Sequence, residues 1–350
     1  MKPMKWLGIV LKFNLKNMTT TKTINLKSRP QGAPALTDFD FTTTENPELQ
    51  DGEVLLATKY VSVDPYLRGR MSDAPSYVPP FKLNEPISSG VIAEVLESRS
   101  TKFTKGDKVI GSLQWKEMQV AKEKGLNKVD PDKAPLSAYL GIIGMTGLTA
   151  FLGLREIGKP KKGETLLVSG AAGAVGSVVG QIGKILGLRV VGIAGTDEKV
   201  EMLTSEFGFD EGINYNTTEN MVEAIKSACP DGVDIYFDNV GGEISDAVLF
   251  NINQFSRTII CGAISVYNKT EKPKSLSVQP FLVKKSALMQ GFIVSDYADK
   301  HAEAIQQLAE WLQQGKLHAS ETIVEGFDNI PQAFLDLFEG KNKGKMVVKV

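Results

Sequence analysis

Three glycines, Gly170, Gly173 and Gly176, recur at three-residue intervals in "LLVSGAAGAVGSVVGQIGKILGLRVVGIAGTDEK". Between an apolar run and a helical pattern, glycines so spaced suit phosphate chemistry. The first permits a tight turn, the second lets backbone approach a pyrophosphate, and the third lets a helix pack on a strand. The unpaired N–H groups and positive dipole end of that helix favour the phosphates. A glycine-rich turn alone carries little weight, because tight turns use glycine for steric reasons. The strand before it, and the helix and strand after it, make the dinucleotide reading. An NAD site places Asp or Glu at the end of the second strand. Here that strand, "RVVGIAG", ends at Gly195, which leaves space and no negative charge, and Lys199 follows in the first turn of the next helix. The two together favour a 2′-phosphate, hence NADP(H). The alternative is a solvated lysine flanked by Asp197 and Glu198.

These residues need elements to hold them. Leu166 to Ser169 read as a buried strand, and Val175, Val179, Ile182 and Leu186 fall on one face of a helix. From Glu164 to "SALMQGFIV", strands and helices alternate, which is the sequence form of a parallel sheet with crossover helices. Before this, from Thr23 to about Val129, short apolar runs such as "EVLLATKYVSV" and "SSGVIAEVLES" are separated by Gly, Asp, Ser and Pro. That spacing fits a small, irregular β barrel or sandwich. "PLSAYLGIIGMTGLTAFLGLREIG" reads as helices broken by glycine, "KHAEAIQQLAEWLQQGKL" as a helix, and "GKMVVKV" as a return to β structure.

Composition excludes several classes. At 350 residues, 42% hydrophobic and 23% charged, the chain is an ordinary globular sequence with room for two domains. A net charge of −1 offers no field to draw nucleic acid or an anionic membrane. No apolar run approaches the roughly 20 residues that span a bilayer. Two cysteines, Cys229 and Cys261, make a disulfide scaffold implausible and suit a reducing cytoplasm. The opening "MKPMKWLGIVLKFNLKNM" is basic, but lysines interrupt its apolar segment and no small-residue cleavage site follows. Residues 1–20 are expected to be a flexible extension.

The motifs "SVDPYLRGRM", "AAGAVGSVVGQI", "GTDEK", "NYNT", "FDNVGGE", "CGAISVYN", "GFIV" and "GKNKGKMVV", in this order, resemble the medium-chain dehydrogenase/reductase superfamily. The resemblance is to its zinc-independent leukotriene/prostaglandin reductases and NADPH-dependent curcumin reductases, and it runs from about Thr23 to the C-terminus. It implies an α/β chain with a Rossmann doubly wound parallel sheet at 141–315. A GroES-like β-rich substrate domain would be formed by 21–140 with 316–350. It also implies that Gly173, Ala174, Val175 and Gly176 hold the pyrophosphate, with Lys199 and Tyr215 near the 2′-phosphate. Asn239 would line the dinucleotide cleft. Cys261, Gly262, Ala263, Ile264, Ser265 and Tyr267, the backbone of Phe292, Ile293 and Val294, and Asn342 would surround the nicotinamide half. A homodimer is implied, with sheet edges near "ALMQGFIV" as a junction. From the residues alone, "DNVGG" also reads as a strand end and turn, Cys261 as a small buried residue, and Tyr215 and Asn342 as surface residues.

Zinc members of the superfamily use Cys and His ligands. This chain has only His301 and His318, both late and expected at the surface, and its cysteines lie in the sheet region, so no metal is assigned. Without a metal, hydrogen-bond donors must stabilise an oxyanion. Tyr66 and Tyr267 are the candidates, while Arg68 and Arg70 read as structural. The expected activity is NADPH-dependent reduction of α,β-unsaturated ketones or aldehydes, small molecules that would be the only partners besides a second copy of the chain. The alternatives are a quinone reductase and a non-catalytic NADPH-binding protein.

Overall fold

A computed structural model describes residues 20–350. Apart from Thr20, the expected N-terminal extension lies outside the described residues. Two large sheets carry the architecture. One has six parallel strands, in the order Glu211–Asn214, Arg189–Ala194, Thr165–Ser169, Val233–Asp238, Ile252–Ile260 and Leu288–Gly291. Its central strands Thr165–Ser169 and Val233–Asp238 are largely apolar and buried because helices cover both faces. Every residue of Thr165–Ser169 is buried. Helix Gly176–Ile185 packs Val179 and Ile182 into this core, at 0% and 1% exposed. Leu186, expected on the same face, is instead the C-terminal cap and is 40% exposed, because the helix ends one residue before it.

The other sheet is β-rich and gathers distant parts of the chain. Its order is Glu321–Glu325, Lys345–Lys349, Glu53–Ser62, Ser88–Ser98, Lys108–Gln114 and Asn127–Val129, with Met118–Lys122 also paired to Glu53–Ser62. The C-terminal strand thus completes a sheet begun near residue 53, with Val347 opposite Ser62. A hairpin of Thr20–Leu26 and Phe39–Glu45 closes one side. It packs Phe39 on the buried Trp115, whose indole N–H donates to Ser89 Oγ at 2.9 Å. The glycine-broken stretch forms a short 3₁₀ turn, helix Met145–Leu152 and a π-helical turn Gly153–Gly158. Among the described residues no helix is long and apolar enough to cross a membrane.

The two sheets meet where Gly344 bridges to Gly173, its N–H donating to Ala172 O at 2.8 Å. The tail strand therefore abuts the glycine turn.

Candidate active site

In the parallel sheet the chain runs outward from Thr165–Ser169 through Arg189–Ala194 to Glu211–Asn214. It then returns past its start to Val233–Asp238. The carboxyl ends of Thr165–Ser169 and Val233–Asp238 flank this reversal, the place where open α/β sheets bind dinucleotides. Gly170 follows the first strand and Asn239 the second, and a Cβ on Gly170 would lie 3.4 Å from that of Asn239.

The glycine turn fits a pyrophosphate. At Gly176 a Cβ would sit 2.4 Å from Gly170 O, so only glycine lets the helix begin there. At Gly173 a Cβ would lie 3.2 Å from Gly170 O, a tight contact that glycine avoids. Ala174 and Val175 lie between them, Val175 capping the helix start. Across the crevice, Asn239 donates its backbone N–H to Ser169 Oγ (3.0 Å) and its Nδ2 to Ser169 O (2.8 Å), which fixes the amide. Beneath it, the buried Asp238 carboxylate accepts from Ser169 Oγ (3.0 Å), Tyr236 Oη (2.9 Å), the N–H groups of Val240 and Gly241, and Ser245 Oγ. "FDNVGGE" is thus a strand end and turn, held by a carboxylate that composition and periodicity do not single out.

At the far end of the crevice the space at Gly195 is filled. A Cβ there would lie 2.7 Å from Tyr215 Oη and 2.9 Å from Cζ. Tyr215 therefore lies over Gly195, with Asn216 Nδ2 donating to Gly195 O at 2.6 Å. Thr196 caps the next helix by accepting from Lys199 N. The Lys199 ammonium donates to Gly340 O at 2.6 Å, and burial, then the charge of Lys343, lowers its pKa, with Glu198 opposing. Lys343, in the "GKNKGK" tail, is bonded to Glu198 Oε1 and escaped the sequence reading. Asn342, beside it, is half-buried and donates to Gly344 O at 2.9 Å.

Cys261 to Tyr267 wrap over the Asp238 turn. Cys261 and Gly262 donate N–H to Asp238 O, Ile264 to Asn239 O, and Ser265 to Val240 O. Burial pushes the Cys261 thiol up to about 12, as expected of an unreactive packed residue. Tyr267 Oη accepts the Ala263 N–H at 3.2 Å. Tyr66, at the start of the short helix Leu67–Arg70, shares with Tyr267 a pocket of about 190 Å³ also lined by Gly69, Arg70, Ser76, Tyr77 and Val78. Burial raises both phenols above the ordinary value, with Asp64 adding to Tyr66. Tyr77, on the proline-rich loop, is a third phenol here that sequence reading missed; its loop gave no periodic signal. Arg68 is held within the fold, whereas Arg70 also borders the pocket. Arg68 is buried and donates to Pro30 O, Gly32 O and Asn268 Oδ1, while Arg70 stacks 3.9 Å from the centre of the Phe81 ring.

Phe292 to Val294 continue the strand Leu288–Gly291, whose Gly291 pairs with Ile260, so they run beside Cys261. The Phe292 ring packs against Tyr297, with centroids 6.3 Å apart. His301 is not a free surface residue: its Nε2 meets Val294 O at 2.9 Å. His318 is exposed. Among the described residues no group of three or more His, Cys, Asp or Glu side chains is placed to hold a metal ion.

Residues 22–129 match the family model described as the N-terminal domain of oxidoreductase, and residues 174–314 the one described as zinc-binding dehydrogenase. A Bacillus subtilis (strain 168) protein named as an NADP-dependent oxidoreductase, YfmJ, is 59% identical, covering 93% of this chain and 97% of its own. The NADPH-dependent curcumin reductase of Escherichia coli (strain K12) is 42% identical, covering 93% and 95%. The crystal structure of CurA from Vibrio vulnificus in complex with NADPH superposes with a TM-score of 0.89 at 42% identity, over 94% of this chain and 99% of that one. With the glycine turn, the strand reversal and the two-sheet architecture, these likenesses place the chain in the medium-chain dehydrogenase/reductase superfamily of oxidoreductases, in its branch of curcumin and prostaglandin reductases.

Proposed function

We propose that the chain is an NADPH-dependent reductase of activated carbon–carbon double bonds, acting on α,β-unsaturated ketones and aldehydes. The observation that carries this reading is the shared pocket of Tyr66 and Tyr267, the latter belonging to the segment bonded to the Asp238 strand end. The curcumin reductase relative points the same way.

In this reading Gly173 to Gly176 hold the pyrophosphate, Gly170 makes the turn, and Lys199 and Tyr215 meet the 2′-phosphate. Asn239 lines the dinucleotide cleft, and Cys261 to Tyr267, the backbone of Phe292 to Val294 and Asn342 surround the nicotinamide half. NADPH, when bound, would supply the hydride for the substrate β-carbon and a ribose hydroxyl as a further hydrogen-bond donor. The chain supplies the charge stabilisation. As the carbonyl oxygen becomes an enolate oxygen, O–H donors already aimed at it lower the barrier. Because Ala263 donates to Tyr267 Oη, the phenolic proton remains available for the substrate. Burial raises both phenols, so near neutral pH they donate rather than accept protons. A proton from water or from one of the tyrosines then completes the reduction at the α-carbon.

A second copy of the chain pairs at the outer strand Leu288–Gly291, which has a partner on one side only. Flanking elements carry the exposed apolar residues Val283 (81%) and Phe255 (68%), which support a covered face. Size-exclusion chromatography with light scattering tests this. The two unpaired cysteines suit a reducing cytoplasm.

The functional test is NADPH oxidation with a panel of enones, enals and quinones. Turnover of enones supports the reading, turnover of quinones alone makes the chain a quinone reductase, and turnover of neither leaves a binding protein.

A further inference from the structure

Lys343 has no part in the reading above, yet it stands at the adenosine end of the crevice. Its backbone is fixed: Lys343 N–H donates to Thr322 Oγ1 at 2.9 Å, and the next residue, Gly344, donates to Ala172 O beside the glycine turn. Its side chain is 43% exposed and ends on Glu198, which is 72% exposed and immediately precedes Lys199. Lys199 in turn donates to Gly340 O, in the same tail segment. Two ammonium groups, one on the helix that follows Gly195 and one on the C-terminal tail, are therefore neighbours. Lys343 is close enough for its charge to depress Lys199.

An anion of higher charge suits this arrangement better than the single carboxylate now there. An exposed Lys–Glu pair is weak and readily exchanged. A phosphate brings up to two charges and three acceptor oxygens.

We propose that Lys343 is a second, specificity-determining reader of the NADPH 2′-phosphate, exchanging Glu198 for that phosphate. This rests on the NADPH reading of the chain. Glu198 then acts as a competitor: it holds Lys343 when the phosphate is missing and repels the phosphate when it arrives. NADH, without the 2′-phosphate, leaves the Lys343–Glu198 pair undisturbed.

The test is calorimetric titration of NADPH and NADH, without substrate, into the wild type and into Lys199→Ala, Lys343→Ala, Lys343→Arg and Glu198→Gln. Lys343→Ala should raise the Kd for NADPH roughly 3- to 20-fold, with NADH unchanged within about twofold. Lys343→Arg should keep most of the preference. Glu198→Gln should tighten NADPH, and that gain should shrink when Lys343 is also alanine, because only the competition for Lys343 is then removed. If Lys343→Ala weakens both cofactors equally, or neither, the proposal is overturned even where Lys199→Ala remains selective. If the wild type binds NADPH no more tightly than NADH and Lys199→Ala changes nothing, the underlying cofactor reading falls as well.

Discussion

Lys345 Nζ lies 2.8 Å from Asp64 Oδ1, an ion pair whose side chains are only 4% and 5% exposed. The lysine also donates to Val63 O at 2.8 Å, and Asp64 accepts from Ser62 Oγ. The pair ties the tail strand to the turn that presents Tyr66. Removing one partner would strand a buried charge, which costs about 3–5 kcal/mol. Lys345→Met should therefore lose stability on that scale in urea unfolding at neutral pH. A loss below about 1 kcal/mol would mean that water reaches the pair.

Tyr267→Phe should lower kcat for an enone roughly 10- to 1,000-fold while leaving NADPH affinity nearly intact, because an oxyanion donor acts mainly in the transition state. The low end holds if Tyr66 and the ribose hydroxyl share the role. Steady-state kinetics with several enones, together with NADPH titration, separate the two effects. Unchanged kcat across the panel removes Tyr267 from the chemistry.

Stability should fall in mild alkali. Burial pushes the thiols of Cys229 and Cys261 up to about 12. Their folded-state values are raised, so their contribution is complete below the unfolded thiol range, near pH 8.5, and is lost as pH rises toward about 12. Above that onset the unfolded chain releases protons that the folded chain keeps, a slope of up to about 1.4 kcal/mol per pH unit for each thiol. The fully buried Tyr236, also raised by burial and by Asp238, adds to the loss beyond the ordinary phenol range. Urea unfolding at about pH 8, 9 and 10 checks the sign and the onset. Constant stability over that range would show that both thiols ionise in the folded protein.

Lys199→Ala should weaken NADPH roughly ten- to a hundred-fold and leave NADH nearly untouched, as loss of a charge-assisted phosphate contact requires. Gly195→Ala separates sterics from charge at the same corner. Its methyl would meet Tyr215, so the ring must move before a 2′-phosphate can use it. NADPH binding should weaken with no change in charge, and Gly195→Asp should weaken it further by repulsion. If Gly195→Ala binds NADPH as the wild type does, Tyr215 is free to shift and the close contact has no bearing on specificity.

Much of this was legible in the chain itself because it rests on local physics. Gly170, Gly173 and Gly176 announce a turn between strand and helix, since backbone crowding near Gly170 O is settled by residues six apart or fewer. Alternating apolar runs announce the parallel sheet, since strands covered on both faces must be apolar throughout. The quoted motifs placed Tyr66 and Tyr267 as candidates, although no periodicity showed that they share a pocket. What the tertiary structure decided depends on groups far apart in sequence. Gly195 looked like open space until Tyr215 arrived from the neighbouring strand to lie over it. Nothing along the chain singles out Lys343 or Lys345. One meets Glu198 and the other is buried on Asp64, 281 positions away. No pattern along the chain encodes those partners, because they exist only where the tail strand, completing the β-rich sheet, reaches the glycine turn of the parallel one.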